Sequence, residues 1–530
     1  MARPVVAPVP VASSIDALRA AGVGVTLLLA VFLAWPVTAL LVHGLATPVE
    51  SWPWRIAAQT VVVALSSAFV AFGLAALVAF TLTRTDVPGR ITLCRIYEVG
   101  ALIPPFIVPL AVLVLTGLLA PGAQHRGLAL IVVAQSLAFL PYAVALVVRM
   151  LAPISLELEQ AAEVLGASRA TVMRRVTLGL AGPGLLRAGL VVVGLGLGDV
   201  ATPLLLGGDA RVLSTEIVAA AAIEEPGAAT AALLLAGLAT LVALAAGAWR
   251  LAGEVGRDQP VLPRLDRPTP ALLRWLLGVV AWVIAVALAA LWLLVPLGSV
   301  LRLSPGSFAL SSGSWAVIAT ADVLRSLGGS LLLGLGAALA GTVLALVTAW
   351  IIEGRAGIWS RAVALVTRVP VVVPGVAAGA GYLLVAGWPS SITLATLILI
   401  AIVACWELPV TSRVAREVRV RMDRSVADAA VGLGASRATT LTRIVVPGLR
   451  PVAGWLVGHL FAAAVLAVGT VIVVAGPGRE LGALTMLRLA AAGATGAACA
   501  VATALLALAG GAVLLGRAIA GRQRGSTLHA

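Results

Sequence analysis

The chain has 530 residues, 61% hydrophobic and 11% charged, with a net charge of +14 and a mean hydropathy of +1.10. Soluble domains carry about 25% charged residues, so the composition excludes a soluble globular protein and indicates an all-α, polytopic membrane protein. The basic excess is then no nucleic-acid signature, because in such proteins it gathers in cytoplasmic loops.

All 36 basic residues are arginine. A Walker-A loop needs its lysine to reach the nucleotide phosphates, so the chain is no ordinary P-loop ATPase and catalyses no such hydrolysis itself. Cys94, Cys405 and Cys499 are far apart, without CxxC or His-paired spacing, and read as small buried apolar residues. No metal site is expected.

A membrane helix needs about 20 mostly apolar residues. Runs of that size predict helices near 20–42, 57–82, 99–120, 127–149, 185–206 and 228–249, and again near 272–299, 326–352, 364–386, 390–412, 450–475 and 494–516. That is about 12 transmembrane helices, six and six. The first run is too long for a signal-peptide core and reads as a retained span. Alternate loops are rich in arginine: Arg84, Arg90 and Arg95 in the second, then Arg149, Arg169, Arg174, Arg175 and Arg187 in the fourth. The fifth loop is acidic, with Asp209, Glu216, Glu224 and Glu225. The bias places both termini and the even-numbered loops in the cytoplasm. A proline-rich segment, 256–270, reads as a cytoplasmic linker between a first domain, 1–255, and a second, 271–530.

The two halves repeat. Gln160-Ala161-Ala162-Glu163-Val164-Leu165-Gly166-Ala167-Ser168-Arg169-Ala170-Thr171 falls on Asp428-Ala429-Ala430-Val431-Gly432-Leu433-Gly434-Ala435-Ser436-Arg437-Ala438-Thr439, 268 positions later. The offset continues without a gap through Leu140-Pro141 and Leu408-Pro409, Arg175 and Arg443, Pro183 and Pro451, and Thr202 and Thr470. An even number of helices per unit makes the units parallel, related by an axis along the membrane normal with any pathway on it. In each island a short helix ends on a glycine, Gly166 or Gly434, suited to a left-handed C′ position. Ser168 and Ser436 are placed to N-cap the next short helix, and Pro447 and Pro451 mark the return into the membrane.

These islands resemble the EAA loop of binding-protein-dependent ABC importer permeases, in which Glu-Ala-Ala, Gly and Ile-x-Leu-Pro occur at fixed spacing. Gly434 and Ile444-Val445-Val446-Pro447 fit that spacing. The first copy has Gly166 and Val176-Thr177-Leu178, with Gly179 at the proline position and Gln160 at the position of the glutamate, which is Asp428 in the second copy. The resemblance implies two parallel-repeat permease domains in a bacterial inner membrane. It implies two separate ATPase subunits that carry ATP and Mg and dock on coupling helices in these loops, and a periplasmic or lipid-anchored substrate-binding protein. No cofactor and no nucleic acid belong to the chain itself.

Fused two-copy permeases of this length resemble iron(III) and thiamine importers. The stretch Gly198-Asp199-Val200-Ala201-Thr202 is similar to the iron-type "D-x-G-T" region, whereas the second half has Leu466-Ala467-Val468-Gly469 before Thr470. Iron(III) is thus one expected substrate, with thiamine or another small solute or anion as the alternative. Asp199 is the foremost pathway candidate as an intramembrane carboxylate, together with Thr202 and Thr470; it also suits a cap at a helix break before Pro203. Glu407 is expected to pair with Arg413, and His459 to pack or hydrogen-bond. A secondary transporter with parallel repeats is the rival from another class.

Overall fold

A computed structural model describes residues 11–119, 126–223, 227–247, 270–304, 307–353, 357–387, 391–421, 446–476 and 481–520, with 429–430, 432–434, 439 and 443. In the first half, α1 (Val11–Leu29) continues through a π-helical turn, Ala30–Ala34, into α2 (Trp35–Ala46). There follow α3 (Trp54–Arg84), α4 (Arg90–Gly100), α5 (Ile107–Leu119), α6 (Leu128–Leu151), α7 (Leu156–Val164), α8 (Arg169–Val172), α9 (Leu178–Gly198), α10 (Ala201–Leu206), α11 (Leu213–Ala222) and α12 (Gly227–Ala246). The second half holds α13 (Ala271–Gly298), α14 (Ala321–Glu353), α15 (Ile358–Val366), α16 (Val369–Val372), α17 (Gly375–Ala386), α18 (Ile392–Trp406), α19 (Leu408–Arg421), α20 (Val446–Val465), α21 (Val471–Val474), α22 (Gly482–Ala491) and α23 (Thr495–Ala520). The described strands form one short antiparallel hairpin, Leu301–Ser304 with Ser307–Leu310, in which Leu301 pairs with Leu310.

Nine helices among the described residues are long and apolar enough to cross a membrane, eleven if each of two bent pairs counts once. The protein is therefore an all-α polytopic membrane protein, and the expected twelve differ from this count for a local reason. The expected third span, 99–120, is broken at Pro104-Pro105, leaving α5 with only 13 residues, about 20 Å of helix against a hydrocarbon core of about 30 Å. The expected ninth span breaks in the same place, at Pro374, with a 111° bend before α17. Proline supplies no N–H and pushes the preceding residue out of the α region. Breaks at Asp199-Val200 and between α20 and α21 likewise split the expected fifth and eleventh spans, and Glu407 bends the tenth by 55°.

Small residues set the packing. Ala57, Ala64, Ala68, Ala71, Ala75 and Ala79 line the buried face of α3, which lies against α6 and α9. In membranes such faces let backbones approach closely, while large apolar residues face lipid; Phe69 on the far side of α3 is 82% exposed.

The first helix of each half crosses to the other half. α1 and α2 pack on α14, α15 and α17, and α13 packs on α3, α4 and α5. The Tyr382 hydroxyl donates to the Phe32 carbonyl, and Gly381 lies so close to Pro36 that a Cβ would collide with its backbone. Reciprocally, the Tyr97 hydroxyl donates to Ala281 O at 3.3 Å, and Trp282 Nε1 to Pro88 O at 3.1 Å. Each exchanged helix also returns to the last helix of its own half, α2 on α12 and α13 on α23. The contacts follow a pseudo-two-fold pattern.

Candidate functional site: a central cavity and two exposed loops

Four helix breaks converge between the halves. Pro104-Pro105-Phe106 and the Asp199-Val200 step from the first half face Pro370–Gly375 and Leu466, Val468 and Gly469 from the second, around a cavity of about 510 Å³. Phe139, Trp406 and one side of α12 (Ala239, Val242, Ala243 and Ala246) complete much of the wall. Asp199 is the sole ionisable side chain among the described residues that line it.

Asp199 is fixed rather than free. Its Oδ2 accepts from Gln135 Nε2 at 3.0 Å and its Oδ1 from Thr202 N at 3.3 Å, while its carbonyl accepts from Ser214 Oγ at 2.7 Å. Gln135 is fully buried, and its Oε1 accepts from Ser67 Oγ at 3.0 Å. Asp199 thus joins α9 to α10 as a cap at the helix break, and it also lines the cavity. Thr202 and Thr470 do not line it. Thr202 is buried behind Asp199, and Thr470 stands against Gly375 at the start of α17. Sequence reasoning misses Gln135 and Ser67; a glutamine inside an apolar run is the signal that could have found them.

On α18–α20 a second polar group forms. Glu407 Oε2 meets His459 Nε2 at 3.1 Å, and the His459 ring stacks on Trp455 at 4.7 Å. This corrects the expected partner of Glu407, while His459 hydrogen-bonds as expected. Arg413 Nε lies 3.2 Å from Glu417 Oε1, one helical turn along, where the pair is geometrically ready-made. Cys94, Cys405 and Cys499 are buried and unbridged, as expected. Among the described residues no group of three His, Cys, Asp or Glu side chains is arranged to hold a metal ion.

The loop between α6 and α9 is built by helix-end chemistry. Ser155 Oγ accepts from Glu157 N at 3.2 Å and starts α7. At the other end Ala167 N bonds to Ala162 O at 3.0 Å and Gly166 N to Glu163 O at 2.9 Å, the paired bonds of a Schellman motif. Gly166 has φ +90°, as that motif requires. Ser168 then caps α8, accepting from Thr171 N at 3.3 Å.

The second loop keeps the same geometry where it is described. Leu433 N bonds to Ala429 O at 2.9 Å, matching Leu165 N to Ala161 O at 3.0 Å, and Gly434 has φ +88°. Asp428, Ser436 and Arg437 lie outside the described residues, and Pro447 is in the first turn of α20. In both loops the leucine before the glycine projects outward, Leu165 at 87% and Leu433 at 89% exposure. These paired apolar tips are hidden in the sequence because a leucine is unremarkable in so apolar a chain.

No curated protein matches the chain. Residues 71–249, from α3 to just beyond α12, match the family model described as the binding-protein-dependent transport system inner membrane component. That match includes Asp199 and the whole first loop, and over those residues the chain is similar to this family of transport permeases.

Proposed function

We propose that the chain is the fused permease of a binding-protein-dependent ABC importer, with 1–255 and 271–530 as its two permease domains and 256–270 as the cytoplasmic linker. The observation that carries this reading is the pair of loops: Gly166 and Gly434 share one left-handed geometry and hold Leu165 and Leu433 outward, and the first lies within the family match. Each loop is a coupling element for one ATPase subunit, Gln160, Ala161, Ala162, Ser168 and Arg169 in one copy and Asp428, Ala429, Ala430, Ser436, Arg437 and Pro447 in the other. ATP and Mg reside on those partners. The loops and both termini face the cytoplasm of a bacterial inner membrane, and the binding protein delivers solute to the opposite face. ATP binding then biases a two-state membrane element through the loops.

The solute crosses through the cavity between the halves, past Asp199. One carboxylate in an otherwise neutral wall suits a cation, which both iron(III) and thiamine satisfy. The lining favours the organic monocation, because a hard metal ion draws several oxygen ligands and the described wall offers one carboxylate. The test is uptake of labelled iron(III) and labelled thiamine by cells carrying the complete system, with and without a proton ionophore. ATP-dependent uptake that survives the ionophore, and copurification with an ATPase, support the reading; uptake that collapses with ATP maintained refutes it. That refuting result is what a proton-coupled carrier would give, a second reading for which the protonatable Glu407–His459 pair at a helix bend is the supporting observation.

A further inference from the structure

At the end of α3 a buried charge pair ties four elements together. Arg84, the last residue of α3, has a side chain only 4% exposed, and its Nε donates to Glu159 Oε1 of α7 at 3.0 Å. Its Nη2 donates to the carbonyl of Leu151, the last residue of α6, at 3.2 Å and to Ile154 O at 3.4 Å in the turn that follows. Backbone carbonyls there run out of intrahelical partners, and Leu151 O has only the turn bond from Ile154 N. The same Glu159 oxygen accepts from Thr177 Oγ1 at 2.7 Å, in the π-helical turn Met173–Thr177 that leads into α9. One guanidinium and one carboxylate thus join α3, the end of α6, the loop helix α7 and the root of α9. Glu159 is the residue before Gln160, outside the repeated motif.

We propose that Arg84, Glu159 and Thr177 are positioning residues that lock α7 to the membrane helices, so that a push on the first loop moves α3 and α9 as one body. The inference rests on the coupling role proposed above. A planar guanidinium suits the task, because its fixed fork holds a carboxylate and two carbonyls in one geometry, and a pair taken out of water leaves a stranded charge when either member is removed. Among the described residues, the second half carries a tie of another kind. Its second long helix ends at Glu353, the place corresponding to Arg84, and Glu353 Oε1 accepts from Arg416 Nε of α19 at 2.7 Å. There the sign is reversed, the tie runs to the helix that precedes the loop, and Arg416 is 42% exposed. Among the described residues, the first loop is tied through its own helix, and the corresponding tie in the second half reaches the helix that leads to its loop.

The test is hydrogen–deuterium exchange of the full chain in lipid nanodiscs, read on peptides covering 156–164 with 446–465 as internal control, for the wild type, Glu159→Gln, Glu159→Asp and Thr177→Val. Losing a charge-assisted bond should speed exchange in 156–164 by roughly ten- to a hundredfold in Glu159→Gln, with the control peptide unchanged, Thr177→Val milder, and Glu159→Asp restoring much of the protection. Unchanged exchange in Glu159→Gln overturns the lock whatever the loops do. A second arm measures solute taken up per ATP hydrolysed in cells carrying the complete importer. Faster exchange with an unchanged uptake-to-ATP ratio overturns the transmission claim and leaves the coupling assignment standing. Faster exchange with a falling ratio, reversed by Glu159→Asp, supports both.

Discussion

Substituting Gly166 and Gly434 isolates a purely conformational cost. Both glycines are left-handed, at φ +90° and +88°, and a Cβ built on either meets no atom within 4 Å. A side chain there encounters no steric obstacle, so the penalty comes from the backbone alone, about 1–2 kcal/mol for an ordinary L residue. At 1.4 kcal/mol per factor of ten, that depletes the native loop shape about 5- to 30-fold. Asparagine tolerates the left-handed region best after glycine, whereas a β-branched residue is a genuine outlier there. Uptake per ATP hydrolysed should therefore fall in the order Gly, Asn, Ala, Val at each site. The control is Gly182→Ala in α9, where the added Cβ also meets open space but the backbone is helical, and coupling should stay at the wild-type level. Wild-type coupling in both valine variants would refute the reasoning. So would an equal collapse of all three substitutions, because that would point to a contact the glycine makes rather than to its backbone.

Leu165→Asp or Leu433→Asp should abolish capture of the ATPase without lowering the melting temperature, since both side chains are almost wholly exposed; retained capture in the double variant would contradict their docking role. Asp199→Asn keeps the shape of the α9–α10 junction and removes up to about 4 kcal/mol of attraction for a cation drawn within about 4 Å. Uptake of a cationic solute should drop at least tenfold while uncoupled ATP hydrolysis persists, and normal uptake would remove Asp199 from the pathway. Gly381→Ala should destabilise the detergent-solubilised protein by about 1–3 kcal/mol through overpacking against Pro36, whereas Gly328→Ala, with open space at its Cβ, should be neutral or stabilising in the same thermal melt. Burial, with Glu98 next in order, lifts the Cys94 thiol to about 12, so the native protein should resist maleimide at neutral pH and react with all three thiols only when unfolded.

How legible each feature is in the sequence depends on what the feature is made of. Long spans such as α3, α13 and α23 announce themselves, because crossing a bilayer demands a run of apolar residues and composition records that directly. The breaks do not. A window that averages hydropathy cannot register that Pro104-Pro105 or Asp199 interrupts the hydrogen-bond ladder, so the spans predicted at 99–120 and 185–206 are divided in the structure. Gly166 and Ser168 are readable because helix ends need particular residue types. The Gln135–Asp199 bond and the Arg84–Glu159 pair are not, since partners 64 and 75 positions apart leave no local trace. For Glu407, proximity along the chain favours Arg413, whereas the observed partner lies 52 positions away.

The exchanged first helices also bear on the order in which the molecule is assembled. The surface that α2 must cover is presented by α17, and the Tyr382–Phe32 bond closes a loop of 350 positions. During synthesis the opening helix is therefore inserted long before its companion exists and waits in the bilayer with one side unclaimed. Contacts of such high sequence separation form slowly, and the tether between the halves helps by keeping each close to the only surface that completes it. Separated into two polypeptides, each half would carry one orphaned helix and one empty seat. Their successful reassembly would depend on finding each other at low concentration rather than on any defect in their own packing.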